Sequence, residues 1–432
     1  MRPLTLALPV LLGAATLEAQ DSSAIARRVA QLRDGEVRMQ YASRPGVCGD
    51  GRNVVAFGDA YFTETVQGFG RIERVRCVPG PVRVAITKRD GRIESVRTQV
   101  GGAWRVDAAT DLGTVPARDA AAYFLALVPE LERTGAASKG RLLLPAVLAD
   151  SAAIAQPLLA LARQEEHAIE TRRQAVHFAG LTGDAAIVPA IVAIARTYGG
   201  DEGARGSSAR GLGGAAVAAL TFVPDDAGIP ALMALLDEPS TGLRREVVFW
   251  LAQTDDARAH ERVRRVAESS SEEMRVREHA IFSLAHGAST DDRTFAWLRA
   301  LWSRAGDDRL KEKIAQGIAE DDRAESGRWL LDRVRDPRES LRVRKQTLFW
   351  AGQRRATSVR DLAAIAQEGD DPALREHAIF VLSQRDEDAA TDALLAIARS
   401  DRDPRARKRA LFWLGQRDDP RAARAIRDLI TG

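Results

Sequence analysis

The 432 residues are 45% hydrophobic and 28% charged, and 63 basic against 60 acidic side chains leave a net charge of +3. Such fractions belong to a folded chain; they exclude wholesale disorder, a collagen-like repeat and a polytopic membrane protein. Near-neutrality also argues against a cationic protein built for nucleic acid. Only six of the basic residues are lysine, and Asn53 is the single asparagine. That bias reads as GC-rich coding and lowers the weight of any arginine cluster.

At the N-terminus, Arg2 precedes an apolar stretch over 4–17, and Leu17-Glu18-Ala19 offers a small-residue cleavage point. This pattern predicts a signal peptide over 1–19, a mature chain beginning at Gln20, and a periplasmic or secreted protein. A short N-terminal anchor is the alternative, but the apolar run falls short of the ~20 residues that a spanning helix needs. No integral membrane segment is expected after cleavage. In an oxidising compartment the two cysteines, Cys48 and Cys77, read as one disulfide. A metal pair would need more ligands nearby, and 36–105 holds no histidine. A redox pair would favour Cys-x-x-Cys spacing, which is absent.

A short helix is expected over 20–34, followed by period-two alternation. Val37, Met39 and Tyr41 alternate with Arg38, Gln40 and Ala42. Val82, Val84 and Ile86 run into an Asp90-Gly91 turn and a return strand over 92–100, which is hairpin grammar. Further strands are expected over 54–57, 61–66 and 71–78. The region 35–106 is therefore predicted to be a small β domain, stapled because so small a core is marginal. It carries a net +5, with Arg74 and Arg76 on one strand face. That face could meet an acidic polymer or protein, or could simply be solvated.

Beyond Asp107 the period turns helical. A connecting helix is expected over 107–140, starting near Pro116, and helical pairs over 141–432, interrupted by a flexible glycine-rich loop at 199–214. From 243 onward one line recurs: 243–253 returns at 276–286, 343–353, 374–384 and 406–416, with degenerate copies at 310–320 and 171–181. Its basic residue stands at Arg244, Arg277, Lys311, Arg344, Arg375 and Arg407. A period of this length marks a solenoid of helical hairpins. Small or branched residues at Val247, Ala280, Ile314, Thr347, Ala378 and Ala410 allow close helix approach. Leu251, Leu284, Ile318, Leu382 and Leu414 fall four positions later on the same face.

The order Asp403-Pro404, Arg407, Ala410, Leu414-Gly415 resembles the bacterial, PBS-lyase-like HEAT repeats, over about 141–432. The resemblance implies a right-handed α-solenoid and a binding role, and implies no reaction. It also implies a ladder of Asp and Arg, for which Asp371 with Arg375 and Asp403 with Arg407 match. The β domain resembles no family identified from its residues.

Chemical motifs are scarce. The sequence lacks a phosphate-binding Gly-x-x-x-x-Gly-Lys, a dinucleotide fingerprint, a His-Glu-x-x-His and a nucleophile elbow. No catalytic residue, metal ligand or cofactor is predicted. His279 and His377 share one repeat position and read as repeat grammar; Glu165-Glu166-His167 reads as a solvated helix end or a weak acid–base cluster. Two aromatic columns stand out: Phe249, Phe282, Phe349, Phe380 and Phe412, then Trp250, Trp350 and Trp413. They are expected to pack between repeats, or else to line a groove. A column of Gln253, Gln353, Gln384 and Gln416 is expected to bond free carbonyls at helix ends. The expected function is an exported, non-enzymatic scaffold for a protein partner. An enzyme accessory or lyase-like protein is the alternative, and binding of an anionic polymer by the β domain a further one. The candidate binding surface is Trp250, Trp350 and Trp413 with Arg74 and Arg76.

Overall fold

The computed structural model describes residues 24–52, 54–57, 60–62, 67–69, 77–104, 110–135, 142–200, 211–287, 292–321, 323–355, 357–417 and 419–431. The expected signal segment, Arg74 and Arg76, and most of the glycine-rich loop lie outside them. The chain divides into two compact units, 1–246 and 247–432.

The first unit begins with helix α1 (24–31) and two four-stranded sheets. One sheet has the order β7-β6-β1-β8, from β1 (Gly35–Tyr41), β6 (Val82–Arg89), β7 (Arg92–Val100) and β8 (Thr110–Thr114). The other is a meander of β2 (Val47–Gly49), β3 (Val55–Phe57), β4 (Ala60–Phe62) and β5 (Gln67–Phe69). The alternation in the sequence is the burial pattern of the first sheet: Val37, Met39, Tyr41, Val82, Val84 and Ile86 are fully buried. Asp90 and Gly91 both adopt positive φ in the β6–β7 turn, as a tight hairpin demands. Cys48 and Cys77 are bonded, with Cα atoms 5.2 Å apart. Beside them Gly49 and Val78 exchange backbone hydrogen bonds at 3.1 and 2.9 Å.

Two expectations for this unit need correction. Residues 110–114, expected to be helical, form β8, which pairs parallel to β1. The connecting helix is two, α2 (Ala117–Ala126) and α3 (Val128–Thr134). The sheet is also closely joined to the helices that follow. The Tyr41 hydroxyl donates to the Pro145 carbonyl at 2.7 Å, and Arg44 donates to the carbonyls of Val147 and Ala152 at 3.2 and 2.8 Å.

Helices then succeed one another: α4 (Leu144–Val147), α5 (Ala155–Arg163), α6 (Ile169–Thr182), α7 (Val188–Tyr198), α8 (Leu212–Leu220), α9 (Ile229–Leu235) and α10 (Thr241–Ala252). Gly213 and Gly214, expected in a loop, lie inside α8. A Cβ on Gly213 would meet the Gly199 nitrogen at 2.4 Å, so this glycine serves close approach and not flexibility. Similarly, a Cβ on Gly180 of α6 would meet the Ala219 carbonyl oxygen of α8 at 2.4 Å.

The second unit is a regular helical array, formed by the end of α10 and then α11 (Ala257–Glu268), α12 (Met274–Ala285), α13 (Asp292–Arg304), α14 (Asp308–Ala319), α15 (Ala324–Arg335) and α16 (Leu341–Gly352). It ends with α17 (Val359–Glu368), α18 (Pro372–Ser383), α19 (Asp388–Ser400), α20 (Pro404–Gly415) and α21 (Pro420–Thr431). The first helices of the pairs, α12, α14, α16, α18 and α20, pack in succession, each on the next. Neither helix of a pair can bury its apolar stripe alone, so neighbouring pairs share one continuous core. Val247, Ala280, Ile314, Thr347, Ala378 and Ala410 are fully buried, and Leu251, Leu284, Ile318, Leu382 and Leu414 nearly so. The fold is therefore mainly helical and solenoid-like, preceded by a small disulfide-stapled β region.

Candidate functional site

Each first helix in the second unit presents the same positions in the same order, so its functional surface is a set of columns. The basic column is a structural ladder. The Nε of Arg277, Arg344 and Arg375 donates backward to a carbonyl at the end of the preceding second helix: Ala267 at 3.0 Å, Val334 at 2.7 Å and Ala366 at 2.9 Å. That satisfies an orphan helix-end acceptor. The head of the side chain then reaches forward to the turn before the next first helix. Arg375 binds Asp401 at 2.7 Å, Lys311 binds Glu339 at 2.6 Å, and Arg344 grips Asp370.

These partners differ from the expected ones. Asp371 caps α18 by accepting from the backbone nitrogens of Ala373 and Leu374, and Asp403 caps α20 through Arg405 N. The capping aspartate is committed to free N–H groups, and the rung is closed by the acidic residue one or two positions earlier. Arg407, in the last copy, donates to the Asp401 carbonyl at 2.7 Å.

A further column escaped sequence reading. The expected glutamine caps are not made: among the described residues no glutamine of that column donates to a helix-end carbonyl, and Gln384 donates to Ser383 Oγ at 3.1 Å. The next residue does that work. Arg385 Nη1 donates to the carbonyls of Gly352 and Arg354, both at 3.0 Å, and of Thr357 at 3.2 Å. Arg417 does the same for Ser383 and Arg385 at 3.1 and 2.9 Å, and Arg354 reaches Ala319. Guanidinium has the longer reach and five donors with which to cap an earlier repeat, against two on a shorter carboxamide. The signal was present as Gln-Arg dipeptides at 353–354, 384–385 and 416–417. The hydrogen bond from Arg385 holds the Glu387 carboxyl at about 2.

The aromatic columns sit at the boundary of core and solvent. Trp250, Trp350 and Trp413 are each half-buried, and each lies edge-to-face on its own phenylalanine, with centroids 5.4, 5.2 and 5.1 Å apart. Trp413 also leans on Phe380 of the preceding copy at 5.3 Å and packs on the core. Phe412 is 51% exposed, the more exposed of two large apolar side chains in that state among the described residues. His279 and His377 lie against Phe282 and Phe380, with centroids 6.2 and 5.6 Å apart, so they join the same aromatic run. The columns thus both pack between copies and present an apolar edge.

The remaining candidates are placed as follows. His167 pairs through Nδ1 with Glu132 Oε2 of α3 at 2.8 Å, whereas Glu165 and Glu166 are exposed. Burial raises the Glu132 carboxyl, but hydrogen bonds from His167, Thr171 and the Ala168 nitrogen outweigh it and hold the pKa low. In the β region Arg38 and Arg83 both stack on Trp104, at 5.3 and 5.7 Å, and Arg38 pairs with Asp111 at 3.0 Å. No group of acidic, histidine or cysteine side chains suited to a metal occurs among the described residues, and no described helix is long and apolar enough to cross a membrane.

Among solved structures, the chain resembles the complex of the phycocyanin lyase subunits CpcE and CpcF from Nostoc at 16% identity, covering 56% of this chain and 92% of that one, with a TM-score of 0.26. An engineered protein aligns at 15% identity over 72% of this chain and 84% of its own, with a TM-score of 0.28. Importin beta aligns at 11% identity over 72% of this chain and 46% of its own, with a TM-score of 0.30. Scores this low do not equate the overall arrangement of two chains. No curated protein matches. The family model for HEAT repeats matches residues 229–319 and 359–432, which hold most of the ladder and of the aromatic columns, while Arg344, Phe349 and Trp350 of α16 fall between the two matches. By that match and by the stacking of their helical pairs, residues 229–319 and 359–432 are HEAT repeats.

Proposed function

We propose that the protein is an exported, non-enzymatic scaffold whose repeat array binds a protein partner along its layer of first helices. The observation that carries this reading is the aromatic column, half-buried in three copies and led by the exposed Phe412. Aromatic side chains that are partly exposed in a rigid setting have the composition of interface anchors. The arginine rungs support the reading, because they keep successive first helices in register and so present several anchors to one extended partner. Export is supported by Arg2, the apolar run over 4–17 and Ala19, and by the choice of paired cysteines. Binding of an anionic polymer by the β region draws less support, since Arg38 and Arg83 are engaged on Trp104.

The test is affinity capture of the mature protein from envelope extract with identification by mass spectrometry. Phe412→Ala should keep its helical circular dichroism and melting temperature and lose the captured protein. A variant that retains the same capture would overturn the aromatic edge as the binding face. N-terminal sequencing of the exported form should begin at Gln20, and a chain beginning at Met1 would overturn the export.

A further inference from the structure

One rung of the ladder is missing. Arg277 donates through Nε to the Ala267 carbonyl at 3.0 Å as its counterparts do. The turn it faces, between α13 and α14, reads Ala305-Gly306 before the cap Asp307. At the corresponding place, Glu339 stands before the cap Ser340 and Asp370 before the cap Asp371. No carboxylate among the described residues pairs with the Nη atoms of Arg277. A cleft of about 470 Å³ occupies this place, bounded by Glu268, Ser270, Arg277, Arg304, Asp307 and Leu310.

The other charges around the cleft have partners. Glu268 Oε1 accepts from Trp297 Nε1 at 2.7 Å and from Arg304 Nη2 at 2.8 Å. Asp307 accepts from the Arg309 nitrogen at 2.8 Å as the α14 cap. What remains is one guanidinium fork facing an open space where Lys311, Arg344 and Arg375 hold a carboxylate.

We propose that this cleft takes a carboxylate from a partner polypeptide, which completes the rung on Arg277. The proposal rests on the protein-binding reading above and names the chemistry of one contact. A planar guanidinium matches a carboxylate with two parallel hydrogen bonds. The flanking carboxylates of Glu268 and Asp307 oppose a dianion such as phosphate more than they oppose a single negative charge. A carboxylate can come from an acidic side chain or from a chain terminus.

The structure also offers a way to close the site from within. A Cβ on Gly306 meets nothing within 4 Å, and its φ is not positive. Gly306→Glu therefore grows a carboxylate from the place that Glu339 holds in the next rung.

The experiment follows the arginine side-chain signals of the full mature chain by nitrogen-15 NMR during titration at constant ionic strength. The probes are acetate, a doubly blocked pentapeptide with a single central Glu, and a pentapeptide whose only carboxylate is its C-terminus; sodium chloride is the control. The Arg277 signal should move saturably with acetate and with one or both peptides, in the range of about a hundred millimolar or weaker expected for a lone ion pair. Which peptide binds more tightly identifies the source. Gly306→Glu should weaken each response by about tenfold or more while melting no lower than the parent, and Arg277→Gln should abolish it. Absence of a saturable acetate response, or equal affinity in Gly306→Glu, would overturn the site. Acetate binding with neither peptide binding would overturn the polypeptide as occupant. Peptide binding in a protein whose capture ignores Phe412→Ala would leave the cleft standing and sink the aromatic face instead.

Discussion

The β region and the repeat array solve the same problem, a marginal core, in opposite ways. In the β region the stabilising contacts join distant parts of the chain: Val37 pairs with Ile86 on one side and Thr110 on the other, and Tyr41 bonds to Pro145. Each contact is made once, and a covalent bond between Cys48 and Cys77 holds the smaller sheet. In the array each contact is made repeatedly and reaches only the neighbouring copy, as when Arg375 meets Asp401 26 residues on. Non-local, single-copy contacts fail together; repeated local ones fail where they are struck.

The largest expected effect tests the local half of that contrast. Leu382 is fully buried in the core shared by α16 to α20. Leu382→Ala should cost about 2–5 kcal/mol, since the lost methyl groups leave a cavity that packed helices only partly close. Denaturant unfolding followed separately in the two units, by hydrogen exchange, should place the loss in 247–432. An equal loss of protection in β1 and β6 would break the contrast.

The converse test removes the staple. Opening a loop of 29 residues' separation should cost the first unit about 3–4 kcal/mol by loop-closure entropy. Cys48→Ala with Cys77→Ala should lower the melting of the sheet and leave the exchange of α16 to α20 unchanged. A double variant as stable as the parent would show that the strands alone order the loop.

Acid should separate the units next. Burial pushes His177 of α6 down to about 4 from an ordinary value near 6.5. Below about pH 6.5 the unfolded chain takes up a proton that the folded chain refuses until about pH 4, so protons favour unfolding. The neutral histidine's stability is therefore complete above pH 6.5 and declines through that window by about 3 kcal/mol. In the second unit, His377 is also lowered, by burial and then by Lys345, but it is only half-buried and its step should be smaller. His177→Leu should flatten the pH dependence of the first unit between pH 6.5 and 4. A slope that persists in that variant would assign the titration to another group.

The two regions also differed in how far their residues disclosed them. The array was legible because each position recurs: the buried small residues, the core leucines and the basic column all stand where repetition puts them. Partner choice was not, because Asp371 lies one helical turn before Arg375 and invites pairing, yet the helix start claims it first. The Arg385 cap was hidden likewise, since its three carbonyl partners belong to the previous copy. In the β region the two-residue period disclosed β1, β6 and β7. Strand β8 carries one apolar residue, Leu112, in Thr-Asp-Leu-Gly-Thr, and no alternation can be read from one residue. Its pairing is set by β1, 73 residues away at Arg38 and Asp111.

The smallest expected effect concerns a contact wholly inside the array. Asp256 caps α11, accepting from the nitrogens of Arg258 at 2.7 Å and Ala259 at 3.4 Å, and its other oxygen takes the Arg258 guanidinium at 2.7 Å. The hydrogen bond from the Arg258 side chain, aided by the backbone donors against desolvation, brings its carboxyl down to about 2. An acid lowered in the folded state stabilises fully above its unfolded value near 4 and loses that contribution as pH falls towards 2. This window lies below that of His177, so the two can be read in one titration. Asp256→Ala should cost about 1 kcal/mol at neutral pH, the usual worth of a helix cap. Asp256→Asn keeps an acceptor for the free N–H groups and removes the charge, so it should cost less and should abolish the change between pH 4 and 2. If both variants cost the same, the ion pair with Arg258 outweighs the cap, and the start of α11 is held by charge.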